Sequence, residues 1–364
     1  MTTTEDIEID EAAIGEFAGR VAGAAISAFE LAAMELGNRL GLYAALADGP
    51  ATPGQLAGRA GIDARYAREW LEQQVTAGVV SVHEDGAPDE RTFVLPIEHQ
   101  ACLLDPDSLA LVAPLASFAS AGGEFLPQLE DAYRNGTGIS FGEYGPRVRA
   151  AQEALNRPQF TNLLAAEWLP TMPDVTERLA TAGARVADIG CGCGWSSIAI
   201  AEGFPSVTVE GFDSDAASIR DARSNAQLRG VADRVEFSTA DATAVAGDAY
   251  DLVCCFEALH DMAHPVEALR TMRRLAGTDG TVFVVDERAA DALTADDPDP
   301  MQHLFYAASV LHCLPVGRSE DGSAATGTVM RTAVLERYAA EAGLSTVEVL
   351  PIEHDSFRFY RLRP

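Results

Sequence analysis

"VADIGCGCGWSSIAIA", residues Val186 to Ala201, sets Gly190, Gly192 and Gly194 between a short apolar run and a helical one. Side chains at those positions would keep a ligand off the backbone, and the first N–H groups of a helix have no partner within it. A strand, a glycine bend and a helix in that order predict a nucleotide-like ligand outside the carboxyl end of a parallel sheet. Counted as GxGxxG from Gly190, the third small residue falls on Trp195, where an indole obstructs close helix packing. Counted from Gly192 it falls on Ser197, a weak match that keeps an NAD-dependent oxidoreductase as one alternative. The spacing DxGxGxG from Asp188 to Gly194 fits a cofactor without a pyrophosphate better.

Downstream of this bend the same alternation continues. "VTVEGFD", "VEFSTAD", "YDLVCCF" and "TVFVVDE" are short valine-rich runs separated by helical segments, which implies a parallel sheet covered by helices on both faces. Thr346–Ile352 and Ser356–Leu362 follow with only "EHD" near their junction, so the last strand is expected to return antiparallel as a hairpin. Asp213 ends the second strand 19 residues beyond Gly194, where a carboxylate can accept from both ribose hydroxyls. Asp241 follows the third strand, placed to accept from an adenine amine.

Upstream, apolar residues from about Ala12 to Leu46 fall at helical spacings, and Gly49 and Pro50 end that run. Thr52 reads as an N-cap with Pro53 at the first helical position. A turn at Gly61, a second helix ending at Gly78 and a hairpin over Val79 to Leu95 complete a winged-helix pattern. Such a unit invites a transcriptional-regulator reading, in which the winged helix contacts DNA and the remainder senses a ligand. Its charge argues otherwise, because Asp48 to Glu98 holds four arginines against nine carboxylates. The chain as a whole carries a formal charge of -29 with a pI near 4.4, a field that repels nucleic acid and anionic membrane surfaces.

The chain has 364 residues, 48% of them hydrophobic, and exceeds one typical domain of roughly 100 to 200 residues. The expected division is a winged-helix and dimerisation domain over residues 1–105, a helical linker and pocket lid over 106–180, and a ligand-binding catalytic domain over 181–364 with an insertion at 291–330. Six cysteines lie at 102, 191, 193, 254, 255 and 313, without a CxxC pair, which points to a reduced, cytoplasmic setting. The acidic start "MTTTEDIEID" lacks the basic, then apolar, order of a signal peptide. Ser108 to Gly123 is uncharged but too short to span a membrane, and reads as a buried helix.

Taken together, DIGCGCG, GFD and the pair Asp241–Ala242 resemble the class I S-adenosylmethionine-dependent methyltransferases, over roughly residues 180 to 362. The resemblance implies an α/β, Rossmann-like, seven-stranded sheet whose last strand is antiparallel. It also implies that Gly190, Gly192 and Gly194 accommodate the methionine moiety, Asp213 holds the ribose and Asp241 with Ala242 orients the adenine, Asp188 and Glu257 completing the cofactor set. With the winged helix in front, the chain is similar to small-molecule O-methyltransferases and to α-keto acid C-methyltransferases, in which the first domain dimerises. A small-molecule substrate and a homodimer follow from that likeness, with neither nucleic acid nor membrane as partner.

"FEALHDMAHP", Phe256 to Pro265, comes directly after the fourth strand and so reaches the sheet's carboxyl edge. Pro265 makes His264 a cap or loop residue. His260 resembles the general base of plant-type O-methyltransferases, with Asp261 or Glu257 to orient it; an imidazole near pKa 6.5 suits that task at neutral pH. His312, 52 residues further on, belongs to the inserted segment. The LHD motif followed by this histidine also resembles the metal-containing winged-helix C-methyltransferases. There His260, His312 and either Asp261 or Glu257 would hold iron or zinc, which would bind a keto acid and stabilise its enolate. A metal site, a base without metal and plain packing all remain open at this point. Tyr144, Asn156, Trp168, Glu287, Arg288 and Arg331 are further polar candidates for the pocket; Arg288 or Arg331 can partner a substrate carboxylate, although a structural ion pair is the stronger expectation for either.

Overall fold

A computed structural model describes residues 9–83, 86–247, 249–294 and 299–363. Its contacts divide the chain into two compact units, Met1–Ser120 and Ala121–Pro364.

The first unit opens on a helix, Glu11–Arg39, capped by the Asp10 carboxylate and ended before Gly41, which takes a left-handed φ of 66°. Ile14, Phe17, Val21, Ile26 and Phe29 on this helix are exposed, and by length and composition alone it could cross a membrane. The winged-helix pattern then appears as read. Thr52 and Gln55 form a reciprocal capping box around Pro53, Gly61 ends helix Pro53–Ala60, and helix Ala64–Thr76 follows. Strands β1 (Ser81–His83) and β2 (Thr92–Val94) pair antiparallel. Leu46, Leu56, Leu71 and Phe93 fill the small core between these elements. The uncharged run at Ser108 to Gly123 becomes helix Ala113–Glu124, with Pro114 in its first turn, although much of it is only half-buried.

The second unit is a seven-stranded sheet. Its strands are β3 (Arg185–Ile189), β4 (Thr208–Asp213), β5 (Val235–Thr239), β6 (Leu252–Phe256), β7 (Thr281–Glu287), β8 (Thr346–Val349) and β9 (Phe357–Arg363). Their order is β5-β4-β3-β6-β7-β9-β8, with β3 to β7 mutually parallel and β9 antiparallel to both its neighbours. Burial on both faces explains the valine-rich runs: along β6, Leu252, Cys254 and Phe256 enter one core and Val253 and Cys255 the other. Helix Pro265–Ala276 and helix Thr332–Ala342 cover the second face, while helix Trp195–Gly203 and the aromatic group around Trp168 cover the first.

The chain reverses direction across the sheet between β3 and β6, and the glycine bend sits at the carboxyl end of β3. Asp188 lies fully buried beneath the bend and accepts hydrogen bonds from the Ser196 and Ser197 hydroxyls, both at 2.6 Å. These bonds tie the first turn of helix Trp195–Gly203 to the strand that precedes it. Burial pushes the Asp188 carboxyl up to about 6, although the two serine donors oppose the shift. A raised carboxyl favours the folded chain below its unfolded value near 4, and that contribution disappears as pH rises through about 6. Asp188→Asn should therefore gain stability over the parent by about 1.4 kcal/mol more at pH 8 than at pH 5. Denaturant melts at the two pH values check this, and an unchanged difference would contradict it.

Candidate active site

A cavity of about 460 Å³ opens at the carboxyl edge of β3, β4 and β6. Gly190, Gly192, Asp213, Asp241 and Ala242 line one part of it. The three glycines do different work. At Gly190, with φ 74°, an added Cβ would meet Ala258 Cβ at 2.7 Å, so the bend lies directly against the segment after β6. At Gly194 the same atom would meet Phe237 at 2.5 Å, and this glycine serves packing without lining the cavity. Gly192, φ 51°, has open space where a Cβ would project, and that space fits a bound group close to the backbone.

Asp213 holds the bend in place. Its Oδ2 accepts from the Gly192 N–H at 2.9 Å and its Oδ1 from the Asp215 N–H at 2.8 Å. Asp241 accepts at one oxygen, Oδ1, from the Thr243 N–H and hydroxyl. Asp188 does not reach the cavity, since it lies under the bend. Helix Gly145–Gln159 supplies the facing wall with Arg149, Gln152, Glu153 and Asn156. Glu153 accepts from Trp195 Nε1 and from Asn225, each at 2.8 Å, while Arg149 pairs with Asp215 and Asp221.

The remaining candidates gather after β6. Glu257 takes a left-handed φ of 50°, then a short 3-10 turn, Leu259–Asp261, carries His260 inward. His260 Nδ1 lies 2.7 Å from Asp286 Oδ1 and 3.0 Å from Glu287 Oε2, and its Nε2 lies 3.2 Å from Asp261 Oδ1. Burial alone would lower the imidazole, but the carboxylates of Asp286, Glu287 and Asp261 together raise it well above its ordinary value. Against the penalty of burial, His260 holds Asp286 below the usual carboxylate range, whereas burial drives Glu287 well up and Glu257 up to about 8. His312 reaches the same cluster from a π-helical turn, Ser309–Cys313, and its ring lies 4.5 Å from Tyr144 and 6.0 Å from Phe141. Burial lowers its pKa, and the charges of Asp261 and His260 act on it in opposite directions.

Glu257 and Asp261 line the cavity, while His260 and His312 sit behind that wall, each 2% exposed. Among the described residues, two sets have mutually close metal-type donors, within 4.8 Å: His260, Asp261 and Cys313, and His260, Asp286 and Glu287. Neither His312 nor Glu257 belongs to these sets. His264 does precede helix Pro265–Ala276, but its side chain caps nothing there and pairs with Glu320 at 3.3 Å. Trp168 lies in the core, stacked edge-on against Phe357 and Phe359. Arg288 pairs with Asp299 and Arg331 bonds Ala290 O and Tyr306, so both side chains are engaged away from the cavity lining. Sequence reasoning missed Asp286 as the partner of His260. The available signal was the acidic pair ending "VVDE", because β7 is the neighbour of β6 and brings its end beside the LHD turn.

Comparison with known proteins agrees with this geometry. Residues 180–320 match the model described as a methyltransferase domain, and residues 28–104 match an Rv2258c-like winged HTH domain. The chain carries an S-adenosylmethionine-dependent methyltransferase domain. It is 29% identical over 195 residues to a ubiquinone biosynthesis O-methyltransferase of Pseudomonas aeruginosa, covering 52% of this chain and 76% of that one. Two solved structures share the fold of this methyltransferase over nearly its whole length. The mitomycin 7-O-methyltransferase MmcR has 22% identity and a TM-score of 0.72, covering 97% of this chain and 99% of its own. PigF with SAH has 20% identity and a TM-score of 0.70, with 98% and 100% covered.

The open space at Gly192 would let a ligand approach the backbone closely. A methyl group at that position would also strain a left-handed residue. Gly192→Ala is expected to weaken S-adenosylhomocysteine about tenfold or more in calorimetric titration while the chain stays folded. Unchanged affinity would mean that the ligand lies elsewhere.

Proposed function

We propose that the chain transfers the methyl group of S-adenosylmethionine to a small-molecule acceptor at oxygen or carbon. The observation that carries this reading is one cavity that joins the Gly192–Asp213–Asp241 wall to the Asp261 wall. Asp213 and Asp241 are the groups for ribose and adenine, and the acceptor enters against Asp261. Transfer to an acceptor held in line with the sulfur is chiefly a matter of position. The O-methyltransferase relatives support a small acceptor, and the acidic cavity wall gives no purchase to nucleic acid phosphates.

A metal-assisted form of this reaction has a specific observation in its favour. Asp286 engages Nδ1 of His260, which directs Nε2 toward Asp261 Oδ1 at 3.2 Å, the spacing of adjacent ligands on one ion. Asp261 Oδ1 is buried and has no hydrogen-bond partner besides this contact with His260. These donors fit iron or zinc, with His312 approaching from the inserted segment. Such an ion would polarise the carbonyl of an α-keto acid. In that arrangement Asp286 fixes the tautomer and orientation of His260, and Tyr144 and Phe141 hold the His312 ring. A base role for His260 without metal fits less well, because an acceptor reaches Asp261 before the buried imidazole.

We assign dimerisation to the first unit, with the exposed apolar side of Glu11–Arg39 covered by a second copy in a cytoplasmic homodimer. Arg20 and Glu30 inside that helix, with Glu16 and Glu35 beyond them, would add cost to a membrane span. A DNA role is disfavoured because Arg65 and Arg68, on helix Ala64–Thr76, pair with Glu69, Glu72 and Asp89. Within the helical linker and the insertion, residues from 140–160 and 316–320 line the cavity and would wall the acceptor.

Metal analysis of the purified chain beside its His260→Ala, His312→Ala variant separates the two forms. About one ion of iron or zinc per chain, lost in the variant, is the expected result; equally negligible metal in both would leave the metal-free form. A labelled-methyl screen over phenols, amines and α-keto acids, with and without added iron, then identifies the acceptor. Transfer to none of these classes would contradict the proposed reaction.

A further inference from the structure

We propose that Glu257 is the counter-ion of the cofactor's sulfonium and makes this methyltransferase hold S-adenosylmethionine more tightly than S-adenosylhomocysteine. The inference rests on the methyl-transfer reading above and adds to it a residue that senses the charge at sulfur.

Position is the first ground. Gly190 packs directly against Ala258, so Glu257 stands where the glycine bend meets the segment after β6. On its other side lies the cluster of His260 and Asp261, whose charges act on the Glu257 carboxyl. The methyl group must cross from the cofactor at the bend to an acceptor at Asp261. The sulfur therefore belongs at this boundary, and Glu257 lines the cavity there.

Backbone and burial give the second ground. Glu257 keeps a φ of 50°, costly for a residue with a Cβ, while its N–H is tied to Val285 O at 2.8 Å. The carboxyl so placed receives a hydrogen bond from Asn156, yet its Oε1 is buried without a partner. Burial raises the group to about 8, and the opposing charge of His260 does not cancel that rise. Among the described residues the one arginine that lines this cavity, Arg149, is already paired with Asp215 and Asp221. Glu257 also lies outside both sets of close metal-type donors. A cation supplied by the ligand is the partner that fits.

The reaction itself removes that cation. When the S–CH3 bond breaks, its electron pair stays on sulfur and the methyl passes to the acceptor, which gives up a proton to water. The remaining thioether is neutral, so the contact with Glu257 weakens at turnover and favours product release.

Calorimetric titration of the full chain with S-adenosylmethionine, S-adenosylhomocysteine and sinefungin, which carries an amine in place of the sulfonium, tests this. In Glu257→Gln, the two ligands with a positive charge at that position should weaken about tenfold and S-adenosylhomocysteine by less than about threefold. Glu257→Gly suits the left-handed backbone and should show the same pattern if the glutamine variant folds poorly. An equal shift for all three ligands, or none, overturns the inference. A parent chain that binds none of the three refutes the cofactor reading itself, and this inference with it.

Discussion

Burying a carboxylate without a cation is costly, and the parallel sheet brings Glu257, Asp261, Asp286 and Glu287 around a single imidazole at adjoining strand ends. One imidazole cannot neutralise four carboxyls. The carboxylates raise His260, Asp286 takes its Nδ1 side, and burial raises Glu257 and Glu287. The cluster is therefore poised for positive charge, and each cation proposed for this site answers that condition. A sulfonium meets it from the cavity side, at Glu257. A metal ion meets it from the His260–Asp261 side.

The cofactor half is organised by a different constraint, close approach of backbone to backbone. Asp213 anchors Gly192 from β4, Asp188 anchors Ser196 and Ser197 from β3, and Gly194 admits Phe237 beneath the bend. The bend is thus fixed before any ligand arrives, and preorganisation of this kind lowers the entropy lost on binding. Across from it, Glu153 couples helix Gly145–Gln159 to Trp195 and Asn225, so the wall over the cavity is tied to the same bend.

Much of this was legible in the sequence because the signals are local. Valine-rich runs bounded by helical segments mark the five parallel strands, and the two last runs, joined through "EHD" without a helix, pair antiparallel as expected. Thr52, Pro53 and Gly61 marked the helix ends where the structure has them. What the sequence concealed depends on neighbours distant along the chain. Asp286 is 26 residues from His260, and only the pairing of β6 with β7 puts the two in contact. For Arg288 and Arg331 a structural pairing is the stronger expectation than a substrate carboxylate; Arg288 does pair with Asp299, while Arg331 bonds Ala290 O and Tyr306. The division into Glu257 and Asp261 at the cavity wall, with His260 and His312 behind it, follows from the left-handed step at Glu257, which no spacing reveals.

A crystal structure of the chain with S-adenosylhomocysteine tests the central claim most directly. The account requires ribose hydroxyls on Asp213, the adenine beside Asp241, and the sulfur between Gly190 and Glu257 on the side facing Asp261. A ligand whose sulfur points away from Asp261, or a cleft left empty at saturating ligand, would contradict it.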